Sequence, residues 1–350
     1  MRTGRAARTS SERRVRTLMA RRARSRRRST RLATVNASPR TASDPLVVYA
    51  PDLPERGFMG EIPANVELVP VSLEGGPMPD FAIVDLVIPM RRMREPLFEV
   101  LRRPGRLQVV QTLSAGVDWL VGRVPPQITV CNARGVYDGP LAEWVVGAIL
   151  AMQRGVVQAR DAQARGTWTE FEADELAGQR VVIVGFGSIG AAVADRLRPF
   201  GVEIVGVARS PRDGTLGMED LDAVLPGTAI LVNLLPLTGQ TTGYLDARRL
   251  GLLPDGALLV NAGRGRTVDT PALVTELESG RLRAALDVTD PEPLPDGHPL
   301  WSPPNALISP HVAGDSPGST RRAFELAGAQ VRRFAAGEPM QHVVDRYLLE

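Results

Sequence analysis

Apolar residues along this chain gather in short blocks, most of them without polar alternation. Leu46 to Ala50, Val66 to Val71, Ile83 to Ile88, Leu107 to Gln111 and Ile128 to Cys131 form one set. Val181 to Val184, Val202 to Val207, Ala257 to Ala262 and Ala306 to Ile308 form a second. Blocks of this kind read as strands buried on both faces, the pattern of a parallel sheet covered by helices. Helical stretches lie between some of them, including a long helix predicted from about Leu141 to Arg165 and a last one from about Ser319 to Ala336. The succession predicts the α/β class with two doubly wound parallel-sheet domains, one interrupting the other. Residues 44–140 join 315–350 in the outer domain, and 141–314 make the inserted one. No internal repeat stands out beyond this pair.

The inserted domain opens on a glycine-rich turn. Val181 to Val184 run into Gly185-Phe-Gly187-Ser188-Ile189-Gly190, and Ala191 to Leu197 read as the helix that follows. Gly185 permits a tight turn, Gly187 lets the backbone approach a pyrophosphate, and Gly190 allows the helix to pack closely on the strand. A pyrophosphate at such a helix N-terminus meets free N–H groups and the positive end of the dipole. The turn alone fits a plain strand-to-helix connection equally well; the strand before, the helix after and the second strand at Val202 to Val207 make it a Rossmann-type dinucleotide site. An acidic residue about 20 positions on would hold the ribose hydroxyl of NAD, but the chain reads Ala208-Arg209-Ser210-Pro211-Arg212 there. With no carboxylate to repel a 2′-phosphate, and Arg209, Ser210 and Arg212 to receive one, NADP(H) is the predicted preference and NAD(H) the alternative. The plainer account of these arginines is a pair of solvated loop charges.

Three further residues could carry chemistry. The chain has 3 histidines, His298, His311 and His342. His311 follows the strand-like run Ala306 to Ile308 and so lies at a strand's C-terminal end, the edge where open α/β sheets bind ligands. His298 and His342 read as loop and tail positions. Reducing a ketone needs a proton delivered to oxygen as hydride reaches carbon, and imidazole suits that donor role. Glu292 could orient the far ring nitrogen. Arg264 follows the run Ala257 to Ala262, and its fork can hold a carboxylate bidentately while polarising the adjacent carbonyl. Each has a duller explanation taken singly: a surface ion pair, a solvated loop charge, a satisfied histidine.

Taken together, the motifs resemble the D-isomer-specific 2-hydroxyacid dehydrogenases over nearly everything after residue 45. They are QTLSAGVDWL at 111–120, LAEWVVGAILAMQR at 141–154, GFGSIG at 185–190, NLLPLTGQTTGYL at 233–245, NAGRGRTVD at 261–269, AALDVTDPEPLP at 284–295 and HPLWSPPNALISPHVAG at 298–314. The resemblance implies a Rossmann cofactor domain inserted in a flavodoxin-like substrate domain, with the last helix packed on the latter. It implies hydride transfer between NAD(P)H and a small 2-keto or 2-hydroxy acid, D-stereospecific, with Glu292 and His311 as the acid–base pair and Arg264 on the substrate. It also implies that Gly185, Gly187, Ser188, Ile189, Gly190, Pro236 and Asp287 contact the dinucleotide, and that the backbone of Ser114, Ala115 and Gly116 receives the substrate carboxylate. The site would lie in the cleft between the domains, whose closure expels water, and the molecule would be a homodimer through the cofactor domain. Ala208 departs from the family pattern, since many members carry the NAD-selecting aspartate there.

Composition agrees and adds one feature. The chain's 350 residues allow two cores, and 43% hydrophobic with 23% charged is ordinary for a globular protein. No run approaches the roughly 18 apolar residues of a membrane span. Cys131 is the one cysteine, so no intramolecular disulfide and no Cys-rich metal site can form; a cytoplasmic location and no metal are expected. Residues 1–43 hold 14 arginines against the single acidic Glu12, which leaves the rest of the chain, with 28 arginines and 38 acidic residues, at a net charge of −10. This Arg-rich extension is predicted to be disordered. It reads as translated upstream sequence from a misplaced start, as a transit peptide, or as an arm making nonspecific contact with nucleic acid.

Substrate identity stays open between glyoxylate or hydroxypyruvate and, through Arg91, Arg92 and Arg94, a phosphorylated acid such as 3-phosphoglycerate. The chain ends without the extra regulatory domain of longer phosphoglycerate dehydrogenases, which favours the former. The reading from another class is a dinucleotide-sensing regulatory or scaffold protein on the same fold.

Overall fold

The apolar blocks fold into two parallel sheets, each in its own compact unit. A computed structural model describes residues 45–72, 84–90, 93–102, 106–212 and 214–348. The Arg-rich stretch 1–43, Ile83, Arg91 and Arg92 lie outside them.

The unit formed by the described residues up to Tyr137 together with those from Asp315 onward has five strands, β1 (Leu46–Pro51), β2 (Val66–Val71), β3 (Leu86–Val87), β4 (Val109–Gln111) and β5 (Thr129–Cys131). Their order β2-β1-β3-β4-β5, parallel throughout, is the flavodoxin-like one. Both faces are apolar: Tyr49, Val87, Leu97 and Leu120 pack on one side, with helix α1 (Arg94–Leu101) among them. Val48, Leu86, Phe324 and Val331 pack on the other. The block read as a strand from Ile83 to Ile88 keeps only two strand residues among those described. The reason is Asp85, a fully buried carboxylate that takes the Val47 N–H at 3.0 Å with a side-chain oxygen and pairs with Arg106 at 3.1 Å.

The second unit, Asp138–Gly314, begins with α2 (Asp138–Gln153) and α3 (Val156–Ala164). The single helix expected over 141–165 is thus two. Gly155 between them has φ +65°, and a Cβ there would lie 2.2 Å from the Phe171 ring. The helix starts at Asp138 because Pro140 still falls within its first turn, where a missing N–H costs nothing. There follow β6 (Arg180–Val184), α4 (Ser188–Leu197), β7 (Glu203–Ala208), β8 (Thr215–Gly217), α5 (Leu221–Val224), β9 (Ile230–Asn233), α6 (Ala247–Gly251), β10 (Leu258–Asn261), α7 (Thr270–Glu278), β11 (Arg283–Leu286) and β12 (Ala306–Ile308). The sheet order is β12-β11-β10-β9-β6-β7-β8, again parallel throughout. The chain winds one way from β6 to β8 and the other from β9 to β12, so the C-terminal end of β6 is the switch point where a ligand crevice opens.

The last helix, α8 (Pro317–Ala335), belongs to the first unit. It packs there so closely that a Cβ on Gly328 would lie 2.0 Å from the Met59 carbonyl, which also accepts a hydrogen bond from Arg332 at 2.6 Å.

Candidate active site

The glycine-rich turn leaves β6 at that switch point, and its three glycines stand there for three different reasons. Gly185 has φ +85°, and a Cβ on it would sit 2.7 Å from the Leu234 backbone. Gly190 presses α4 onto β6, with an added Cβ 3.3 Å from Ile183 Cγ2. Gly187 differs. Its φ of −99° suits any residue, and an added Cβ would meet nothing nearer than the Gly185 carbonyl at 4.0 Å. Internal packing therefore does not demand a glycine at 187, whereas a ligand lying against the first N–H groups of α4, at Ser188, Ile189 and Gly190, does. The residues fit a dinucleotide pyrophosphate.

Beside the turn, Ala208 ends β7 and Arg209, Ser210 and Arg212 follow it, all three exposed. Arg212 reaches back to the turn, donating from its guanidinium to the Phe186 carbonyl at 3.2 Å. Its backbone is pinned by Thr215, whose hydroxyl accepts from the Arg212 N–H at 2.9 Å and donates to the Arg212 carbonyl at 3.0 Å. Pro236 lies just past β9 on the same sheet edge, its carbonyl held by the Thr241 hydroxyl at 2.6 Å.

His311 and Glu292 meet. His311 Nδ1 lies 2.7 Å from Glu292 Oε1, and since a carboxylate can only accept, Nδ1 is the donor and Nε2 is left on the far side of the ring. Both side chains are about half exposed, at 47% and 41%. The His311 backbone has φ +55°, a left-handed conformation uncommon for a non-glycine residue. What holds it there is Asp287, directly after β11. The buried Asp287 carboxylate accepts from Ser309 Oγ at 2.6 Å and Val312 N at 2.9 Å on one oxygen, and from Ala313 N at 3.0 Å on the other. The Asp287 carbonyl accepts from the His311 N–H at 2.8 Å.

Arg264 follows β10, and the chain around it is set by buried polar groups. Asn233, Asn261 and Thr267 are no more than 1% exposed; Asn261 and Thr267 donate to the Arg264 carbonyl, and Asn233 donates to both of them. Gly265 explains itself by contact: a Cβ there would lie 1.9 Å from the Thr289 carbonyl, so the Arg264 segment and the segment leading to Glu292 touch backbone to backbone. The Arg264 guanidinium donates to the Gly263 carbonyl at 2.7 Å.

The other predicted positions fall elsewhere. Ser114, Ala115 and Gly116 belong to the first unit, on the loop after β4, where Ser114 Oγ donates to the Gly116 carbonyl at 2.8 Å and Asn132 donates to the Ala115 carbonyl at 2.8 Å. His298 caps a short helical turn, its Nδ1 accepting from the Leu300 N–H at 3.2 Å. His342 serves through its carbonyl, which accepts from the Asn132 N–H at 3.1 Å. Arg94 is stacked over Trp119 at 4.6 Å. The residues missed in the sequence are Asn233, Asn261, Thr267 and Ser309. The available signal was that each asparagine closes an apolar run at the same level of the sheet, Asn261 opposite Asn233.

Residues 146–313 match the family model of the D-isomer specific 2-hydroxyacid dehydrogenase NAD binding domain. A glyoxylate reductase of Thermofilum pendens is 34% identical over 269 residues, which cover 72% of this chain and 79% of that protein. Among solved structures, an NADPH-dependent glyoxylate/hydroxypyruvate reductase from Sinorhizobium meliloti in complex with NADP and sulfate superposes with a TM-score of 0.75 at 28% identity, covering 88% of this chain and all of that one. A D-isomer specific 2-hydroxyacid dehydrogenase from Xanthobacter autotrophicus in complex with NADPH gives a TM-score of 0.73 at 30% identity, covering 87% and 98%. The chain belongs to the D-isomer specific 2-hydroxyacid dehydrogenase family. It is an oxidoreductase that transfers hydride between a nicotinamide dinucleotide and a 2-hydroxy or 2-keto acid.

Proposed function

We propose that this enzyme reduces a small 2-keto acid of the glyoxylate and hydroxypyruvate kind to the D-2-hydroxy acid, with NADP(H) preferred over NAD(H). The observation that carries this reading is the His311–Glu292 contact of 2.7 Å, which assigns the Nδ1 proton and leaves Nε2 for substrate. When bound, the nicotinamide supplies the hydride. His311 gives its Nε2 proton to the substrate oxygen, a positioned transfer worth about a hundred- to ten-thousand-fold in rate. Glu292 keeps the ring in register. Arg264 holds the substrate carboxylate and polarises the carbonyl beside it.

For the dinucleotide, Arg209, Ser210 and Arg212 receive the 2′-phosphate where an NAD enzyme would place an acid. The Phe186 contact keeps Arg212 beside the turn in advance. Ser188, Ile189 and Pro236 complete the cofactor's surroundings. A homodimer through this unit goes with the reading: Trp168, 95% exposed on the extended stretch after α3, and Val156, 56% exposed on α3, offer apolar surface that a second copy would cover. A cytoplasmic site of action fits a reaction that draws on the dinucleotide pool.

The test is a comparison of kcat/KM for NADPH and NADH across glyoxylate, hydroxypyruvate, pyruvate and phosphohydroxypyruvate. NADPH should win, Arg212→Ala should narrow its lead, and His311→Ala should abolish turnover while dinucleotide binding persists. A clear advantage for NADH rejects the cofactor preference; wild-type enzyme inert toward every one of these acids rejects the substrate class.

A further inference from the structure

Asn233, Asn261 and Thr267 form a closed hydrogen-bond chain that ends on one atom, the carbonyl oxygen of Arg264. Asn233 Nδ2 donates to Asn261 Oδ1 at 3.0 Å and to Thr267 Oγ1 at 2.6 Å. Thr267 Oγ1 spends its own proton on the Arg264 carbonyl at 2.6 Å. That carbonyl also accepts from Asn261 Nδ2 and from the Thr267 N–H, both at 3.2 Å. The remaining acceptors are used as well: Asn233 Oδ1 takes the Leu235 N–H at 3.3 Å and Asn261 Oδ1 the Gly263 N–H at 3.2 Å.

Every donor in this cluster has a single consistent direction, and none reaches water, because Asn233 and Thr267 are 0% exposed. Polar groups in a protein interior are costly unless satisfied. Simple strand ends would be served by apolar residues there, so a cluster this specific has a positional task. The Arg264 φ and ψ of −144° and 139° are extended, and the chain turns into a helical turn at Gly265. The direction in which the guanidinium leaves the backbone depends on where that turn begins. We propose that Thr267, held by Asn233, is a positioning residue for the substrate-binding guanidinium of Arg264, and that through Asn233 the same chain ties it to the Leu234–Pro236 loop on the dinucleotide side. The inference rests on the proposed role of Arg264.

Thr267→Val keeps the shape and removes the hydroxyl. It should lower kcat/KM for glyoxylate by roughly ten- to a hundredfold, the scale of a displacement of about 1 Å in a reacting assembly, chiefly through KM, with the Kd for NADPH within twofold of wild type. Thr267→Ser should restore near wild-type kinetics. In an Arg264→Ala background Thr267→Val should have no further effect. A native circular-dichroism spectrum and a cooperative thermal melt report that each variant is folded, and Thr267→Ala serves if the valine variant is not. Wild-type kcat/KM in a folded hydroxyl-less variant, an undiminished effect in the Arg264→Ala background, or loss of NADPH affinity in parallel would each overturn the proposal while leaving the role of Arg264 standing. An Arg264→Ala enzyme as active as wild type would remove that role, and this one with it.

Discussion

Replacing Asp287 by Asn separates two roles this residue could have. In the structure both carboxylate oxygens are committed, to Ser309 Oγ and Val312 N on one side and to Ala313 N on the other. An asparagine has one acceptor oxygen, so in either orientation of its amide at least one backbone N–H faces another donor inside the protein. One hydrogen bond to a charged group is worth about 1.5–3 kcal/mol, and an unsatisfied buried donor costs a similar amount. The variant should therefore lose roughly 2–3 kcal/mol. In a domain of this size that lowers Tm by roughly 4–12 °C. The same bonds hold His311 at φ +55°, a conformation that costs a non-glycine residue roughly 1–2 kcal/mol. With the brace weakened the backbone can relax toward an ordinary conformation, carrying the imidazole away from its working position; kcat should fall by roughly ten- to a hundredfold. Thermal unfolding, NADPH titration and steady-state kinetics on one preparation test this, with the expectation that Tm and kcat fall and the Kd for NADPH holds. A variant with wild-type Tm and weakened NADPH binding would refute the bracing account and make Asp287 a cofactor contact instead.

Three more outcomes follow from packing and burial. Gly187→Ala should leave Tm unchanged, because its Cβ enters open space, and should weaken dinucleotide binding; Gly185→Ala, at φ +85° and against the Leu234 backbone, should destabilise the fold outright. Equal Tm losses in the two variants would contradict the assignment of 187 to the ligand. Burial pushes the Cys131 thiol from 9.0 up to about 12, against a smaller opposing hydrogen bond with Gln330. The thiolate is the reactive species, so Ellman's reagent at pH 8 should label the protein only after denaturation. Because the folded value is the higher one, this thiol's contribution to stability is whole below pH 9 and declines as pH rises from 9 toward 12. Urea unfolding of wild type and Cys131→Ala at pH 8 and pH 10 reads the difference, and an unchanged gap between the two would count against it.

Much of this molecule could be read from its letters because its signals are local. A parallel strand buried on both faces must be apolar throughout, so β6, β7 and β10 announce themselves, and a glycine-rich turn at a strand end needs no distant partner to be seen. The His311, Glu292 and Arg264 motifs were legible for the same reason. Two of the features that escaped have their cause far off in the chain. The break at Gly155 exists because Phe171 fills the space above it, and β3 is short because the Asp85 carboxylate takes a hydrogen bond from Val47, 38 residues away.

Between these extremes lies a row of polar residues visible in sequence only as punctuation. Asn233 ends β9, Asn261 ends β10, Asp287 follows β11 and Ser309 follows β12. The register places Asn261 opposite Asn233. The Asp287 N–H donates to the Asn261 carbonyl at 2.9 Å, and Ser309 hydrogen-bonds Asp287. Four neighbouring strands thus finish at one level in side chains that can bond sideways, and Arg264 and His311 both project from loops anchored to that row. Ligands bind at the carboxyl ends of such strands, where the backbone must leave the sheet without leaving its amides unpaired. The residue that closes each strand is therefore the one that anchors the loop after it, and Asn261 and Asp287 stand three residues before Arg264 and five before Glu292.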